Sequence, residues 1–566
     1  MVGGRPMDRE RWAPAGPSVV DGSTETRWPP ARGCRGVVAS PHPAATLAAL
    51  DVLQRGGTAA AAAVTAGVVL SVVYPHMTGP GGDSFWLGWE AEPGRLRALQ
   101  ACGGAAALAT PAFYRRQGVD AIPARGPLAA LTVPGAVDGW WEVHRWSQAD
   151  LRSPVSWGDL LEPGIRHARD GIAIPRGLPR VTAGAADLLA LDDCAIQPWR
   201  VQYLADGRVP APGANLVQPR LAWTLERLER SGGREFYEGE LAGELGRGCE
   251  ALGSPLRAAD LACHRSRWAS PLALPYRGGV AVSAPPPSQG LTALAILGLL
   301  DGYDVGALAR DPADYIHLVV EATKLAVADR DHWLADPDAS PIPMTRLLDP
   351  GYLADRGRAI DGRPAAPVPV APGVDRGDTV ACVTVDAAGN AVSLIQSLYH
   401  EWGSGVLAGT TGVLLQNRGA FFSLEPGHPN VLAPGKRPFH TLTPFMWLAD
   451  GRPALVAGTM GGEGQPQTLA ALVTRIVDLG LEVQAAVEAP RWLYGRTWGA
   501  PSRALSLKAR FGEAVAGRLR ARGHTVQLVD PWSDTVGHAQ AIVRNAATGL
   551  AVGGGDPRAD GPPLGL

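Results

Sequence analysis

Apolar and polar positions alternate most regularly in residues 379–397. Small and β-branched residues follow Thr379, a Gly389-Asn390 turn interrupts them, and a second apolar run leads to Ser397. Two such runs joined by a glycine-containing turn predict a β-hairpin. Residues 362–373, shortly before the hairpin, have prolines at positions 364, 367, 369 and 372. This composition favours an exposed loop over a helix or a central strand.

Three other segments have helical patterns. Leucines spaced three apart predict a helix over residues 44–54, which the glycines at 56 and 57 end. The apolar run Ala59–Val73 is too short to cross a bilayer and predicts a buried helix. Charges three and four residues apart in residues 321–330 favour ion pairs on a helix over acid/base catalysts.

Thr379 lies where the proline-rich loop meets the first strand of the predicted hairpin. Cleavage of the Asp378–Thr379 bond would give this residue a free α-amine beside its own hydroxyl. Such an amine, with a reference pKa near ~8, can act as general base for the hydroxyl, so that one residue supplies nucleophile and base. The alternative is a threonine that simply begins a strand after a linker.

Composition limits the classes of partner. The chain has 566 residues, of which 46% are hydrophobic and 19% charged, and its net charge is −2. These values are typical of a globular protein with a large core. They give no electrostatic basis for binding nucleic acid or an anionic membrane. We therefore expect a small-molecule partner.

Cysteine spacing and the N-terminal residues bear on the compartment. The cysteines at positions 34, 102, 194, 249, 263 and 382 include no C-x-x-C pair, so we expect free thiols and no metal site. Residues 1–32 are polar and rich in proline and glycine, which predicts a loose leader, and they lack the apolar centre of a secretory signal. These features predict a cytoplasmic protein.

A glycine-rich loop over residues 76–85 resembles two kinds of site that it does not form. No Lys-Ser/Thr pair follows its glycines, which argues against a phosphate-binding loop. Ser84 is not within a Gly-x-Ser-x-Gly turn, which argues against a hydrolase serine. We expect the loop to act through its backbone.

Six short motifs mark the chain from the hairpin onward: Asp378-Thr379, Gly403-Ser-Gly405, Pro434-Gly-Lys-Arg-Pro438, Met460-Gly-Gly462, Ala489-Pro-Arg-Trp492 and Asp556-Pro-Arg558. In this order and spacing they resemble the γ-glutamyltransferases, a family of self-cleaving N-terminal-nucleophile (Ntn) hydrolases, and the resemblance extends from about residue 36 to the C-terminus. It implies a four-layered αββα fold of mixed α/β class and a reaction without metal or organic cofactor. It also implies a large part, residues 33–378, that stays bound to a small part, residues 379–566.

The same resemblance implies roles for residues after the cleavage point. With Thr379 as the nucleophile, the second active-site hydroxyl of the family corresponds to Ser397, and Tyr399 stands where transferases usually have asparagine. Gly461 and Gly462 correspond to the glycine turn that supplies backbone N–H groups to an oxyanion hole, where one donor is worth roughly 3–4 kcal/mol of barrier. A tight turn without catalytic function is the alternative for these glycines.

The residues that recognise a γ-glutamyl group in the family differ in this chain. The arginine that binds the substrate α-carboxylate is replaced by Gly104, and the aspartate that binds its α-ammonium by Phe421. His440 and Thr441 replace a pair of serines. A zwitterion would be bound poorly without both counter-charges, so glutathione is a weak candidate. Arg418 and His440 are candidate contacts for a small anionic acyl group, with ordinary structural polar residues as the alternative.

These differences resemble a side branch of the family that includes oxamate amidohydrolase and cephalosporin-acylase-like proteins. The sequence therefore predicts a self-cleaving amidohydrolase that acts on a small amide, either oxamate-like or an acyl amide, through a threonyl-acyl intermediate. One alternative is a γ-glutamyl hydrolase or transferase with a rearranged pocket. A second alternative, of another class, is a non-catalytic homologue that binds a small amide.

Overall fold

Two seven-stranded antiparallel sheets stack face to face between two layers of helices. The computed structural model describes residues 26–360, 378–495 and 502–566. The predicted four-layered αββα arrangement is confirmed. The strands are β1 (Ala31–Gly33), β2 (Gly36–Ala39), β3 (Asp83–Glu90), β4 (Arg95–Ala101), β5 (Ile172–Ala173), β6 (Asn215–Leu216), β7 (Arg267–Ala269), β8 (Leu272–Tyr276), β9 (Gly279–Ser283), β10 (Asp378–Asp386), β11 (Ala391–Tyr399), β12 (Phe445–Ala449), β13 (Arg452–Thr459), β14 (Trp492–Tyr494), β15 (Leu505–Lys508), β16 (Val526–Val529), β17 (Ala539–Arg544), β18 (Ala551–Gly555) and β19 (Leu564–Gly565).

Helices cover the outer face of each sheet. They are α1 (Pro43–Gln54), α2 (Ala59–Val73), α3 (Pro111–Arg116), α4 (Ala136–Ala149), α5 (Trp157–Asp170), α6 (Gly177–Gly184), α7 (Ala186–Leu189), α8 (Asp193–Tyr203), α9 (Pro219–Ser231), α10 (Glu235–Glu238), α11 (Glu240–Ala251), α12 (Ala258–Ala262), α13 (Gly290–Leu300), α14 (Val305–Leu308), α15 (Pro312–Trp333), α16 (Met344–Leu347), α17 (Pro350–Gly357), α18 (Gln465–Val473), α19 (Val483–Glu488) and α20 (Gly512–Ala521).

The first sheet, here called the nucleophile sheet, has the order β19-β2-β10-β11-β3-β4-β7. Its centre is the predicted hairpin, which is confirmed as strands β10 and β11. Gly389 in the connecting turn has φ +88°, a left-handed conformation that glycine adopts without strain. Helices α2 and α4 pack on the outer face of this sheet.

Helix α2 shows why the apolar run Ala59–Val73 is helical and buried. All fifteen of its residues are buried, as predicted. It begins after Thr58, whose Oγ1 accepts a hydrogen bond from Ala61 N over 3.2 Å and so satisfies one of the free N–H groups of the first turn. Packing from every side, rather than an amphipathic face, holds this helix against the nucleophile sheet.

The second sheet has the order β1-β18-β17-β13-β12-β9-β8 and is covered by helices that include α13, α18 and α19. The layer between the two sheets is apolar, with members from both faces such as Val383, Met446 and Ile542. Burying such side chains contributes roughly 25 cal/mol per Å² of apolar surface. The two sheets are therefore held at a fixed separation.

Strands from both sides of residue 378 are mixed within each sheet. Strand β10 pairs with β2, β11 with β3, β12 with β9, and β18 with β1. A cut before Thr379 would leave all of these backbone hydrogen bonds in place. The two products would therefore remain one folded body.

Four further sequence predictions concern the leader, the cysteines, the charged segment 321–330 and the absence of a membrane-spanning helix. Residues 1–25 and the proline-rich segment 362–373 lie outside the described residues, and residues 31–33, at the end of the predicted leader, form β1 and pair with β18. The six cysteines are free thiols. Glu321 and Lys324 form an ion pair of 2.7 Å on α15. Among the described residues, no helix combines the length and apolar character needed to cross a membrane.

Candidate active site

Thr379 lies at a break in the regular pairing of the nucleophile sheet. The register between β10 and β11 shifts between Asp378 and Val380, which is the signature of a β-bulge. Bulges redirect side chains and occur often beside active sites. Thr379 is 1% exposed, and its Oγ1 donates a hydrogen bond of 3.3 Å to Ser397 Oγ.

Ser397 Oγ accepts hydrogen bonds from several residues around Thr379. Besides Thr379, it accepts hydrogen bonds from Tyr399 N over 2.7 Å and from Arg418 Nη2 over 3.2 Å. Ser397 is fully buried, and Tyr399 has φ +83°, an uncommon conformation for a non-glycine residue. The end of β11 is thus shaped so that backbone and side-chain donors converge on one hydroxyl next to Thr379.

Arg418 is a buried cation whose side-chain hydrogen-bond partners, Thr441 and Ser397, are neutral. Its Nη1 donates to Thr441 Oγ1 over 2.9 Å, and its guanidinium lies 4.5 Å from the centre of the Tyr399 ring. Its Nε has no hydrogen-bond partner among the described residues. Burial lowers the pKa of Arg418 to about 10, although the Asp83 carboxylate acts in the opposite direction. The guanidinium is charged at neutral pH and has unused donor capacity.

His440 pairs with Asp83, from the glycine-rich loop. His440 Nε2 lies 2.9 Å from Asp83 Oδ2, and His440 Nδ1 lies 2.8 Å from Pro438 O. Asp83 Oδ1 accepts from Gly135 N over 2.9 Å. Burial lowers the pKa of His440, while the bond to Asp83 acts to raise it. The Asp83 carboxylate, which acts on the pKa of Arg418, is therefore already engaged by His440 and by Gly135 N.

Gly461 and Gly462 follow the end of β13, which faces the hairpin across the two sheets. A Cβ on Gly458, near that end, would lie 2.7 Å from Ile395 Cδ1 of β11. Gly461 has φ +134° and Gly462 φ +49°, so the chain turns sharply here. Gln289 Nε2 donates to both Gly462 O and Thr441 O, each over 2.9 Å. Thr441 in turn links this turn to Arg418 and Ser397.

The structure gives a steric reason for the glycine at position 104. A Cβ on Gly104 would lie 2.2 Å from Gly435 O, a contact that no side chain could make. The segment around Gly435 is held there by a bond from Ala105 N to Lys436 O of 2.8 Å. The backbone of the Pro434-Gly-Lys-Arg-Pro438 motif thus fills the space into which an arginine side chain would extend.

Phe421 forms part of an aromatic wall. Its ring centre lies 4.3 Å from that of Tyr399 and 4.7 Å from that of Phe439. Rings at these separations attract one another beyond the area that they bury. Phe421 has no carboxylate with which to pair an ammonium group.

Sequence reasoning missed two residues of the site. The loop over residues 76–85 was expected to act through its backbone, but the side chain of Asp83 also takes part. Gln289, which joins the glycine turn to Thr441, was not singled out either. Neither residue has a local sequence signal, because their partners lie 357 and 152 residues away.

A potential metal-ligand group lies elsewhere, on α15 and after α20. Among the described residues, the ligand atoms of His317, Glu321 and His524 lie within 4.8 Å of one another. Each already has a protein partner: His317 Nδ1 lies 2.8 Å from His524 Nε2, and Glu321 pairs with Lys324. None of the three belongs to the hydrogen-bonded group around Thr379 described above.

Comparisons with known proteins bear on the same residues. Residues 45–566 match the family model described as gamma-glutamyltranspeptidase. The chain is 44% identical over 531 residues to the oxamate amidohydrolase proenzyme of Klebsiella pneumoniae, covering 94% of this chain and 98% of that protein. It is 40% identical over 541 residues to the glutathione hydrolase-like YwrD proenzyme of Bacillus subtilis, covering 94% and 99% respectively.

A solved structure gives the same result for the fold. The crystal structure of cephalosporin acylase from Bacillus halodurans superposes with a TM-score of 0.87 at 33% sequence identity. The match covers 96% of this chain and 99% of the acylase. This chain therefore shares the fold of that acylase over nearly its whole length.

Proposed function

Because the chain belongs to the γ-glutamyltranspeptidase family, we propose that it cuts its own Asp378–Thr379 bond and then uses Thr379 to hydrolyse a small amide. The family membership predicted from the sequence is correct, and the chain is an enzyme. The observation that carries the proposal is the contact between Thr379 Oγ1 and Ser397 Oγ at the register shift between β10 and β11.

Self-cleavage begins with attack of Thr379 Oγ on the carbonyl carbon of Asp378. The C–N bond breaks, the nitrogen takes the proton that the hydroxyl loses, and an ester replaces the amide. Water then hydrolyses this ester and releases Thr379 with a free α-amine and a free hydroxyl. The products, residues up to 378 and residues 379–566, stay associated through the shared sheets. The proenzyme names of both relatives support this step.

Amide hydrolysis then uses the same hydroxyl. Thr379 Oγ attacks the substrate carbonyl, and its proton passes to the α-amine and from there to the leaving nitrogen. Water attacks the resulting threonyl ester, which releases the acid and restores the hydroxyl. Ser397 orients the nucleophile through the 3.3 Å contact. Apart from water, these steps use only groups of the substrate and of this chain.

The negative charge that develops on the carbonyl oxygen is assigned to the N–H groups of Gly461 and Gly462. Two observations support this assignment. The end of β13 faces β11 across the sheets, and Gln289 joins the glycine turn to the Thr441–Arg418–Ser397 chain of hydrogen bonds. Preorganised donors of this kind supply a large share of the rate enhancement in acyl transfer.

Arg418 and its surroundings favour an acyl group with an anionic end. A buried cation with neutral hydrogen-bond partners is stabilised by an added anion, because charged groups in the interior need partners. Only the Ser397 hydroxyl separates Arg418 from Thr379, through contacts of 3.2 and 3.3 Å. A short acyl group would therefore bring its carboxylate to Arg418 while its carbonyl lies at the nucleophile. Tyr399, Thr441 and His440 would line the same pocket.

Oxamate, whose carboxylate is bonded directly to the amide carbonyl, meets these requirements. The similarity to the Klebsiella oxamate amidohydrolase proenzyme supports the same choice. Transfer or hydrolysis of a γ-glutamyl group is the alternative, and the YwrD relative keeps it open. Gly104 and Phe421 argue against it, since one position has no room for a side chain and the other is aromatic. The free thiols favour a reducing compartment such as the cytoplasm.

Hydrolysis of a substrate panel tests the proposal. Oxamate, a γ-glutamyl anilide and an acyl-β-lactam should be compared side by side with wild-type protein and Thr379→Ala. We expect oxamate to give the highest kcat/KM and Thr379→Ala to be inactive on all three. Preference for the γ-glutamyl anilide would reject the substrate assignment, and activity in Thr379→Ala would reject the nucleophile.

A further inference from the structure

Two family motifs, those around Arg491 and Asp556, take no part in the reaction proposed above. We propose that Arg491 and Asp556 are positioning residues that act through Gly537 and His538 to fix residues 460–462, here called the oxyanion turn. This inference rests on the proposed function, because it concerns the donors of that turn.

The oxyanion turn continues directly from paired strands. Strands β13 and β17 are antiparallel, with Thr459 opposite Ala539. One further backbone bond, from Met460 N to His538 O over 2.9 Å, extends this ladder into the turn. Thr459 Oγ1 also donates to His538 O, over 2.9 Å. The position of His538 therefore determines where the turn begins.

Gly537 touches the oxyanion turn with its backbone. A Cβ added to Gly537 would lie 2.2 Å from Met460 O and 3.3 Å from Gly461 Cα. Gly537 also has φ +75°, which disfavours other residues. Any side chain here would have to push against the backbone of the turn.

Arg491 and Asp556 hold the segment 537–539 from both sides. Arg491 Nη2 donates to Gly537 O over 2.6 Å and to Asp556 Oδ2 over 2.5 Å. The same carboxylate oxygen accepts from Ala539 N over 3.0 Å. The Arg491–Asp556 ion pair is thus hydrogen-bonded to the backbone of both residues that flank His538, Gly537 and Ala539.

This ion pair is buried and fully charged. The side chains of Arg491 and Asp556 are 2% and 0% exposed. Burial alone would raise the pKa of Asp556, but Arg491 and Arg558 together hold it below its usual range. Arg558 also pairs with Asp556, from Nη1 to Oδ1 over 2.7 Å, so removing the carboxylate would leave two buried guanidinium groups without their counter-charge. Residues 537–539 would then be free to shift, and the oxyanion turn would shift with them.

Three variants and one control test the inference. Gly537→Ala places a methyl group against the backbone of the oxyanion turn. Asp556→Asn and Arg491→Lys weaken the hydrogen bonds to the backbone of residues 537–539. Arg491→Lys keeps the positive charge but loses the planar guanidinium with its paired donors. Gly549→Ala is the control, since Gly549 has the same φ of +75° but nothing within 4 Å of an added Cβ. For each protein, the extent of self-cleavage is measured by intact mass, stability by thermal unfolding, and kcat and KM per mole of cleaved enzyme.

We expect cleaved Gly537→Ala to lose roughly 10²-fold in kcat, as for loss of one oxyanion donor, with KM within about threefold of wild type. Arg491→Lys and Asp556→Asn should lose about 10-fold in kcat, as expected for donors displaced by a fraction of an ångström. Gly549→Ala should lose stability only.

Unchanged kcat in the cleaved variants, even with a lower Tm, would overturn the inference, because the pair would then be merely structural. An equal kcat loss in Gly549→Ala would also overturn it. If Gly537→Ala does not fold or cleave, Arg491→Lys and Asp556→Asn decide by the same criteria. The proposed function is tested separately by Thr379→Ala: its inactivity beside unchanged kcat in these variants would reject only the positioning role.

Discussion

The groups that we propose to react and those that we propose to recognise the substrate are carried by different kinds of structure. Thr379 and Ser397 lie on adjacent central strands, where regular pairing between β10 and β11 begins again at Val380 and Ser397 pairs with Asp83 of β3. Arg418 and Phe421 begin and end a short 3₁₀ segment, and His440 precedes a strand in an extended loop. Loops can be rebuilt without disturbing the ladder beside them. The comparison teaches that chemistry and specificity can change independently in this fold.

Charge separates the same two regions. The reacting region has uncharged hydroxyl groups and backbone donors before cleavage, whereas the recognition region contains a buried guanidinium beside an aromatic wall. Changes in the first region should therefore affect every substrate. Substitutions in the recognition region should change kcat/KM by an amount that depends on the charge of the substrate.

The largest effect is expected from Thr379→Ala, which should leave the chain uncut and inactive on all substrates. Without Oγ there is no nucleophile for either reaction. Thr379→Ser is the matched control, since it keeps a hydroxyl and should still be cut. Intact mass and ammonia release measure the two outcomes. A cut at residue 378 in Thr379→Ala would show that another group performs the cleavage.

Discrimination against γ-glutamyl substrates should be the next largest effect. Each charge-assisted contact is worth roughly 1.5–3 kcal/mol, so the absence of two corresponds to about 10²- to 10⁴-fold. We expect kcat/KM for a γ-glutamyl anilide to lie below that for oxamate by a factor in this range. Efficient glutathione turnover would mean that other residues have rebuilt both contacts, and would break the contrast between the regions.

Removing the charge of Arg418 should change the choice of substrate. Arg418→Met should lower kcat/KM for oxamate by roughly 10- to 100-fold through loss of a charge-assisted contact. The kcat/KM of Arg418→Met for the neutral analogue 2-oxopropanamide should fall less. Because the lost bond to Ser397 affects both substrates equally, the difference between the two losses measures the contact with the carboxylate. Arg418→Lys keeps the charge, so its kcat/KM for oxamate should lie between those of the wild type and Arg418→Met. Equal losses for both substrates would show that Arg418 serves only the nucleophile.

Ser397→Ala should have a smaller effect, on rate rather than on binding. Its hydroxyl orients Thr379, so kcat should fall by about 3- to 10-fold, as for one hydrogen bond, while KM changes little. Ser397→Thr keeps the hydroxyl and should retain activity. Only cleaved protein should be compared, because slow cleavage would imitate a catalytic defect. Wild-type kcat in cleaved Ser397→Ala would make Ser397 an ordinary strand residue.

The smallest effect concerns the scaffold behind both regions. Burial lowers the pKa of His76 to about 3 and that of His538 to about 4. The unfolded chain, with histidine pKa values near ~6.5, therefore binds more protons below that pH. The stability that these groups contribute is fully present above about pH 6.5 and is lost as pH falls toward 4 and 3.

The urea midpoint should accordingly be lower at pH 5 than at pH 7.5, and His76→Gln should reduce the difference. A midpoint that is equal or higher at pH 5 would contradict the assignment of neutral buried histidines.

Local patterns were sufficient to predict the hairpin, helix α2 and the place of Thr379, because each depends on neighbouring residues. The contact of Gly104 with Gly435 and the pairing of Asp83 with His440 could not be predicted in this way. They join segments that are distant in sequence, and their geometry is set by how the two sheets stack. Similarity to a family predicted which residues differ, but only the structure gives the steric reason at Gly104.

The central claim is that Thr379 becomes the nucleophile when the preceding bond is cut. Intact mass and oxamate hydrolysis, measured on the same samples as cleavage proceeds, test it most directly. The account predicts that activity rises in proportion to the fragment that begins at Thr379. Full turnover by a chain that remains uncut would contradict it.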